Sequence, residues 1–210
     1  MPLNVRHARV LVWCGIAVCS VVPAGAARAQ TPAGELPKSQ VPTLGRPTRP
    51  DDPAPILDFF TYFKGTWSVT WDFPDSPLGP ADVLVGATVF TEQGPGRFEA
   101  RTEGTTAAGA VTISEAIDYA REERTIARTV TDSRGFTYRQ SGTVTGDLGG
   151  QFAIRLTGAP FTHHGHTVRV NSVMRLLAPL NYRTQSTISV DDGPFTNYGN
   201  PWWRKEAVAP

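Results

Sequence analysis

Three polar residues stand where an apolar alternation leads one to expect apolar ones. Glu115 lies between Ile113 and Ile117, Arg128 between Ile126 and Val130, and Gln140 two residues beyond Tyr138. Positions two apart share a face of a strand, so if the apolar neighbours point inward these three do too. A buried charge is costly unless it meets a partner, water or the polar end of a ligand. One reading is an internal Glu115–Arg128 pair, or a phase reversed by a bulge. The other is a ligand site. In that reading Arg128 grips the carboxylate of an amphiphile with two parallel hydrogen bonds. Tyr138 or Gln140 adds a contact, and Ile126 and Phe136 lie against the apolar tail. If Glu115 already neutralises Arg128, the site suits a neutral polar head instead.

The second group is Thr162-His163-His164-Gly165-His166. On a strand, His164 and His166 would share a face and reach one metal ion, with a third ligand from elsewhere. The stretch is bounded by glycine and proline and reads as a loop, which favours solvated histidines. Haem coordination by one of them stands on the same footing. Glu122-Glu123 reads as a solvated turn pair. No Gly-x-Ser-x-Gly elbow, His-Glu-x-x-His helix or phosphate-cradling glycine loop occurs. No catalytic residue is therefore assigned, no cofactor is called for, and the balance leans away from an enzyme.

The chain around these residues has 210 residues. Arg6, His7 and Arg9 precede an apolar run, Val10 to Val22, which is too short to span a bilayer comfortably. Ala27-Arg28-Ala29 then places small residues where a signal peptidase reads. Residues 1–29 are thus expected to be a signal peptide, with a periplasmic or extracellular product. Cys14 and Cys19 would leave with it, so the mature chain is expected to form no disulfide. Cleavage would leave 17 basic and 19 acidic residues, a balance that speaks against nucleic acid as a partner. Residues 30–55 hold seven prolines and few large apolar side chains, the composition of a disordered linker.

From Ile56 the pattern changes. Ile56, Leu57, Phe59, Phe60 and Phe63 recur at helical spacing, predicting a short amphipathic helix over 53–64 with Asp52 as its cap. Beyond it the chain alternates with period two, as in Phe98-Ala100-Thr102, Val111-Ile113, Ile117-Tyr119 and Phe152-Ile154-Leu156. Turn signals such as Gly94-Pro95-Gly96, Asp132-Ser133-Arg134-Gly135 and Asp191-Asp192-Gly193 punctuate these runs. The predicted fold is all-β, an antiparallel closed β-barrel of about eight to ten strands over residues 56–206.

Phe63-Lys64-Gly65-Thr66-Trp67 follows the helix at the head of the first strand. It resembles the Gly-x-Trp opening of calycin barrels, which include lipocalins and fatty-acid-binding proteins, and in which the Trp closes one end. The order of helix, Gly-Thr-Trp strand, successive hairpins and closing aromatic strand also resembles that of secreted bacterial barrels of this shape. The resemblance implies a hydrophobic cavity and a small apolar or amphiphilic ligand; the chain's polar composition and the loss of the apolar run with the signal peptide predict no membrane span in the mature protein. Two other classes stay open: an isomerase, hydratase or hydrolase using the same cavity, and a structural or partner-binding module.

Overall fold

The computed structural model describes residues 52–206. The expected signal peptide and all of the proline-rich segment before Asp52 lie outside them. A five-residue helix, α1 (Phe59–Phe63), leads into twelve strands. In chain order they are β1 (Gly65–Phe73), β2 (Asp82–Gly94), β3 (Arg97–Thr106), β4 (Gly109–Ala120), β5 (Thr125–Asp132) and β6 (Phe136–Gly146). Then come β7 (Phe152–Gly158), β8 (Phe161–His163), β9 (His166–Ala178), β10 (Asn181–Val190), β11 (Thr196–Asn197) and β12 (Trp202–Lys205).

Every pairing between these strands is antiparallel. β1 to β7 form a meander, β7 pairs with β9, β9 with β10, and β12 joins β10 back to β1. Ten strands thus close a barrel, which removes the exposed edges of an open sheet. β8 continues the line of β7 along β9, and β11 shares β10 with β12. Pro160 explains the first break, since it cannot donate to a ladder. The turns expected from glycine, proline and aspartate each fall between strands.

The inward faces are the apolar runs of the alternation. Phe98, Ala100, Ile117, Tyr119, Ile154 and Leu156 are all buried. They belong to one apolar cluster, and Val111, Ile113, Val130 and Phe136 belong to a second, one towards each end of the barrel. α1 lies across one end. Phe59 stacks on Phe98 at 4.7 Å, Tyr119 Oη donates to Leu57 O, and Tyr62 Oη donates to Ala178 O. These partners come from β3, β4 and β9 where the strands meet that end, so the helix closes the opening. Trp67 is fully buried beneath it and its Nε1 donates to Phe63 O at 2.7 Å. Leu78, from the β1–β2 connection, and Arg134, stacked on Phe73 and Phe136, close the other end.

The helix is shorter than the sequence pattern predicts. Its cap is Asp58, whose side chain accepts from Thr61 N, and not Asp52. Ala54 precedes Pro55, and a residue before proline is pushed to extended backbone, so helical spacing there cannot become a helix. Instead Ala54 O accepts from Arg124 Nη2 at 2.6 Å, fastening this stretch to the β4–β5 turn. Of the paired tryptophans, Trp203 turns inward and stacks on Tyr182 at 4.7 Å, while Trp202 is exposed. No helix among the described residues is long and apolar enough to cross a membrane.

Replacing Trp67 with alanine removes a fully buried aromatic and its hydrogen bond, and is expected to cost ~3–5 kcal/mol. Urea unfolding of the variant measures it. A loss under ~1 kcal/mol would show that the α1 end is not what holds the barrel closed.

Candidate functional site

Between the two apolar clusters the inward face turns polar. Thr88, Thr102, Glu115, Arg128, Gln140, Ser172 and Ser186 each sit near the middle of their strand. The registers of β3–β4, β4–β5 and β5–β6 run without a shift over these positions, so no bulge reverses the phase. Together the side chains make a belt around the waist of the barrel.

The belt is hydrogen-bonded along most of its length. Arg128 Nη1 donates to Glu115 Oε2 at 2.6 Å, and both side chains are largely buried. Arg128 Nε donates to Gln140 Oε1 at 2.8 Å, across the β5–β6 pair. Gln140 Nε2 donates to Val170 O at 2.6 Å and to Ser172 Oγ at 3.2 Å. Ser172 lies opposite Ser186, with the two hydroxyls 3.4 Å apart. Across the barrel the Thr88 and Thr102 hydroxyls share a 2.7 Å bond, and Trp203 Nε1 donates to Thr88.

Burial works against the charge on Arg128. The Glu115 carboxylate, Tyr138 and Tyr182 together more than offset this, and the guanidinium pKa ends above its ordinary value. Burial likewise pushes the Tyr138 and Tyr182 hydroxyls well above the usual tyrosine range. They stay protonated and can donate. The belt is therefore neutral as a unit and rich in hydroxyl donors.

A cavity opens against this belt. Its volume is about 50 Å³. The space is small and suits a few waters or one compact group. Phe59, Phe90, Ile113, Ile126 and Trp203 supply apolar wall, and Glu115, Arg128, Tyr138, Tyr182 and Thr184 supply polar wall.

Four of the sequence-derived candidates, Glu115, Arg128, Tyr138 and Ile126, thus converge on one space. Two stand back from it. Gln140 is fully engaged in positioning Arg128. Phe136 packs towards the far end against Tyr138, Phe161 and His163. Tyr182, Thr184 and Ser186 were missed. They alternate inward along β10 while Arg183 and Gln185 face out, a period-two signal that hydroxyl residues blur because they suit either face.

The histidines lie away from this cavity. His163 ends β8 beside Phe136, and burial lowers its pKa. His164 has a positive φ of 46° in the β8–β9 turn, so it does not share a strand face with His166. His166 Nδ1 is 2.8 Å from Asp191 Oδ2. Among the described residues no group of three His, Cys, Asp or Glu is placed to hold a metal ion.

No protein-family model matches the sequence, and no curated protein does either. Among solved structures the chain is similar to the crystal structure of Rv2717c from M. tuberculosis. The TM-score is 0.60 and the identity 13%, over 74% of this chain and 100% of that one. It also matches a de novo designed fluorescence-activating β-barrel (TM-score 0.42, 15% identity, 72% of this chain and 100% of that one). A redesigned β-barrel bound to DFHBI matches at TM-score 0.40 and 16% identity, over 69% of this chain and 99% of that one. The likeness to Rv2717c is one of fold.

Removing one member of a buried ion pair strands the other. Arg128→Leu is expected to cost ~3–5 kcal/mol, while Glu115→Leu with Arg128→Leu returns to within ~1 kcal/mol of wild type or exceeds it. Gln140 loses its donor in both variants, so their difference in denaturant unfolding reports the stranded carboxylate. Equal stability of the two would mean that Glu115 does not depend on Arg128.

Proposed function

We propose that this protein is a binding barrel for a small, mostly apolar molecule whose polar end meets the Glu115–Arg128 belt. The observation that carries this is the placement of the cavity, with apolar wall on both sides and a single polar girdle at its centre. Burial of the ligand's apolar area supplies affinity, and the girdle orients it. The 2.6 Å pair between Arg128 and Glu115 favours a neutral polar head over a carboxylate. The calycin-like Gly65-Thr66-Trp67 opening supports the same reading, since the resemblance implies an interior apolar ligand.

A specific observation favours a second reading. Glu115, Arg128, Tyr138 and Tyr182 are titratable groups on one cavity, which is the arrangement a catalyst needs. Glu115 is the natural base there, but its Oε2 already accepts from Arg128 Nη1. Binding without turnover is the simpler use of the site.

The protein is titrated with a panel of apolar probes that runs from one ring, such as toluene, to larger dyes, such as 1-aminoanthracene, with binding followed by calorimetry or fluorescence. Saturable one-to-one binding of at least one is expected. If none saturates, the cavity is not a binding site and the partner-module reading takes its place.

We also infer that the protein is exported and works in the periplasm or outside the cell, on the order of basic, apolar and Ala-x-Ala segments in residues 1–29. N-terminal sequencing of the exported protein is expected to begin near Gln30; retained Met1 would overturn this.

A further inference from the structure

One buried atom in the cavity wall has no partner. Thr184 is 3% exposed, the residue lines the cavity, and among the described residues its Oγ1 makes no hydrogen bond. An unsatisfied buried hydroxyl is unfavourable, and valine would fill the same shape without that cost. Tyr182, two residues earlier and on the same face of β10, also lines the cavity. Glu115 acts on its hydroxyl electrostatically more strongly than Arg128 does.

We propose that Thr184 and Tyr182 form the polar subsite of the cavity, and that the subsite takes the carbonyl or hydroxyl oxygen of a neutral one-ring molecule. The proposal rests on the binding-barrel reading and gives its ligand class. Charge selects against anions, because Glu115 already answers Arg128 and a second carboxylate would be buried beside the first. Size selects against long chains, because a space of about 50 Å³ suits only a compact molecule. The protonated Tyr182 donates to the ligand oxygen, and the Thr184 hydroxyl donates to it or accepts from it.

The test uses ligands of one shape and different ends: α-methylstyrene (apolar), acetophenone (carbonyl), 1-phenylethanol (hydroxyl) and benzoate (anion). Dissociation constants come from calorimetry or ligand-observed NMR. Acetophenone or 1-phenylethanol is expected to bind about fivefold tighter than α-methylstyrene, the usual worth of one neutral hydrogen bond. Benzoate is expected to bind weakest. A preference for acetophenone assigns donors alone to the subsite; a preference for 1-phenylethanol adds an acceptor. Thr184→Val should remove most of the preference, leave α-methylstyrene within about twofold, and melt no lower than wild type without ligand. Thr184→Ser, which keeps the hydroxyl, should keep the preference and serves if the valine variant does not fold.

Benzoate binding tightest, no gain over α-methylstyrene, or a Thr184→Val that keeps the preference would each overturn the proposal and leave the binding reading standing. Binding of the larger dyes alone would overturn the one-ring class. Failure of every probe would bring down the underlying reading as well.

Discussion

A charge inside a barrel has to be answered from within the barrel. Arg128 is the residue that sets this condition, and Glu115 at 2.6 Å is the answer. The rest of the waist follows. Gln140 accepts from the guanidinium Nε and is itself held by Val170 O and Ser172. The pair also disciplines the strands. A one-residue slip of β5 against β4 or β6 would turn Arg128 outward and leave Glu115 and Gln140 stranded inside. The buried pair therefore specifies register, even where a pair of leucines would stabilise as well.

The two ends are closed by different means, and the difference leaves the cavity where it is. At one end an aromatic stack of Phe59, Phe63, Trp67 and Phe90 fills the barrel's width. At the other, Arg134 lies over Phe73 and Phe136 while binding Asp132 with two hydrogen bonds. The wall beside the belt is less regular. There β10 is continued towards β1 by backbone bonds from Thr184 N to Pro201 O and from Ser186 N to Gly199 O. Gly199 adopts a φ of 104°, and a side chain there would run into Asp72 O and the Trp71 ring. Thr184 sits behind this irregular stretch, which puts the unpartnered hydroxyl beside the part of the barrel that a ladder holds least.

Much of this was legible in the sequence, for a physical reason. A closed antiparallel barrel has one inside, so period-two alternation maps directly onto burial, as it does along Phe98-Ala100-Thr102 and Ile154-Leu156. The same logic exposed Glu115, Arg128 and Gln140, since a charge at apolar phase is conspicuous. Hydroxyl residues are not conspicuous. Tyr182, Thr184 and Ser186 occupy inward positions that threonine and serine fill equally well on the outside. The helix was overextended because Ile56 and Leu57 match helical spacing, whereas Pro55 and the Asp58 cap decide the local backbone. The closure of the wall by Pro201 is a long-range contact that no local pattern carries.

A neutral belt separates attraction from selection. Apolar wall draws in any molecule of suitable size, in proportion to the area it buries, and so discriminates little between shapes that fit. Discrimination comes from the cost of mismatch. A group that reaches the waist without matching it leaves polar atoms unpaired in an enclosed space, which costs more than a matched contact gains. In the proposed binding role, with Arg128 and Glu115 cancelling each other, that cost would fall on charged ligands first and on wholly apolar ones second. The molecule that the proposed site would disfavour least is one that is neutral, compact and polar at one point.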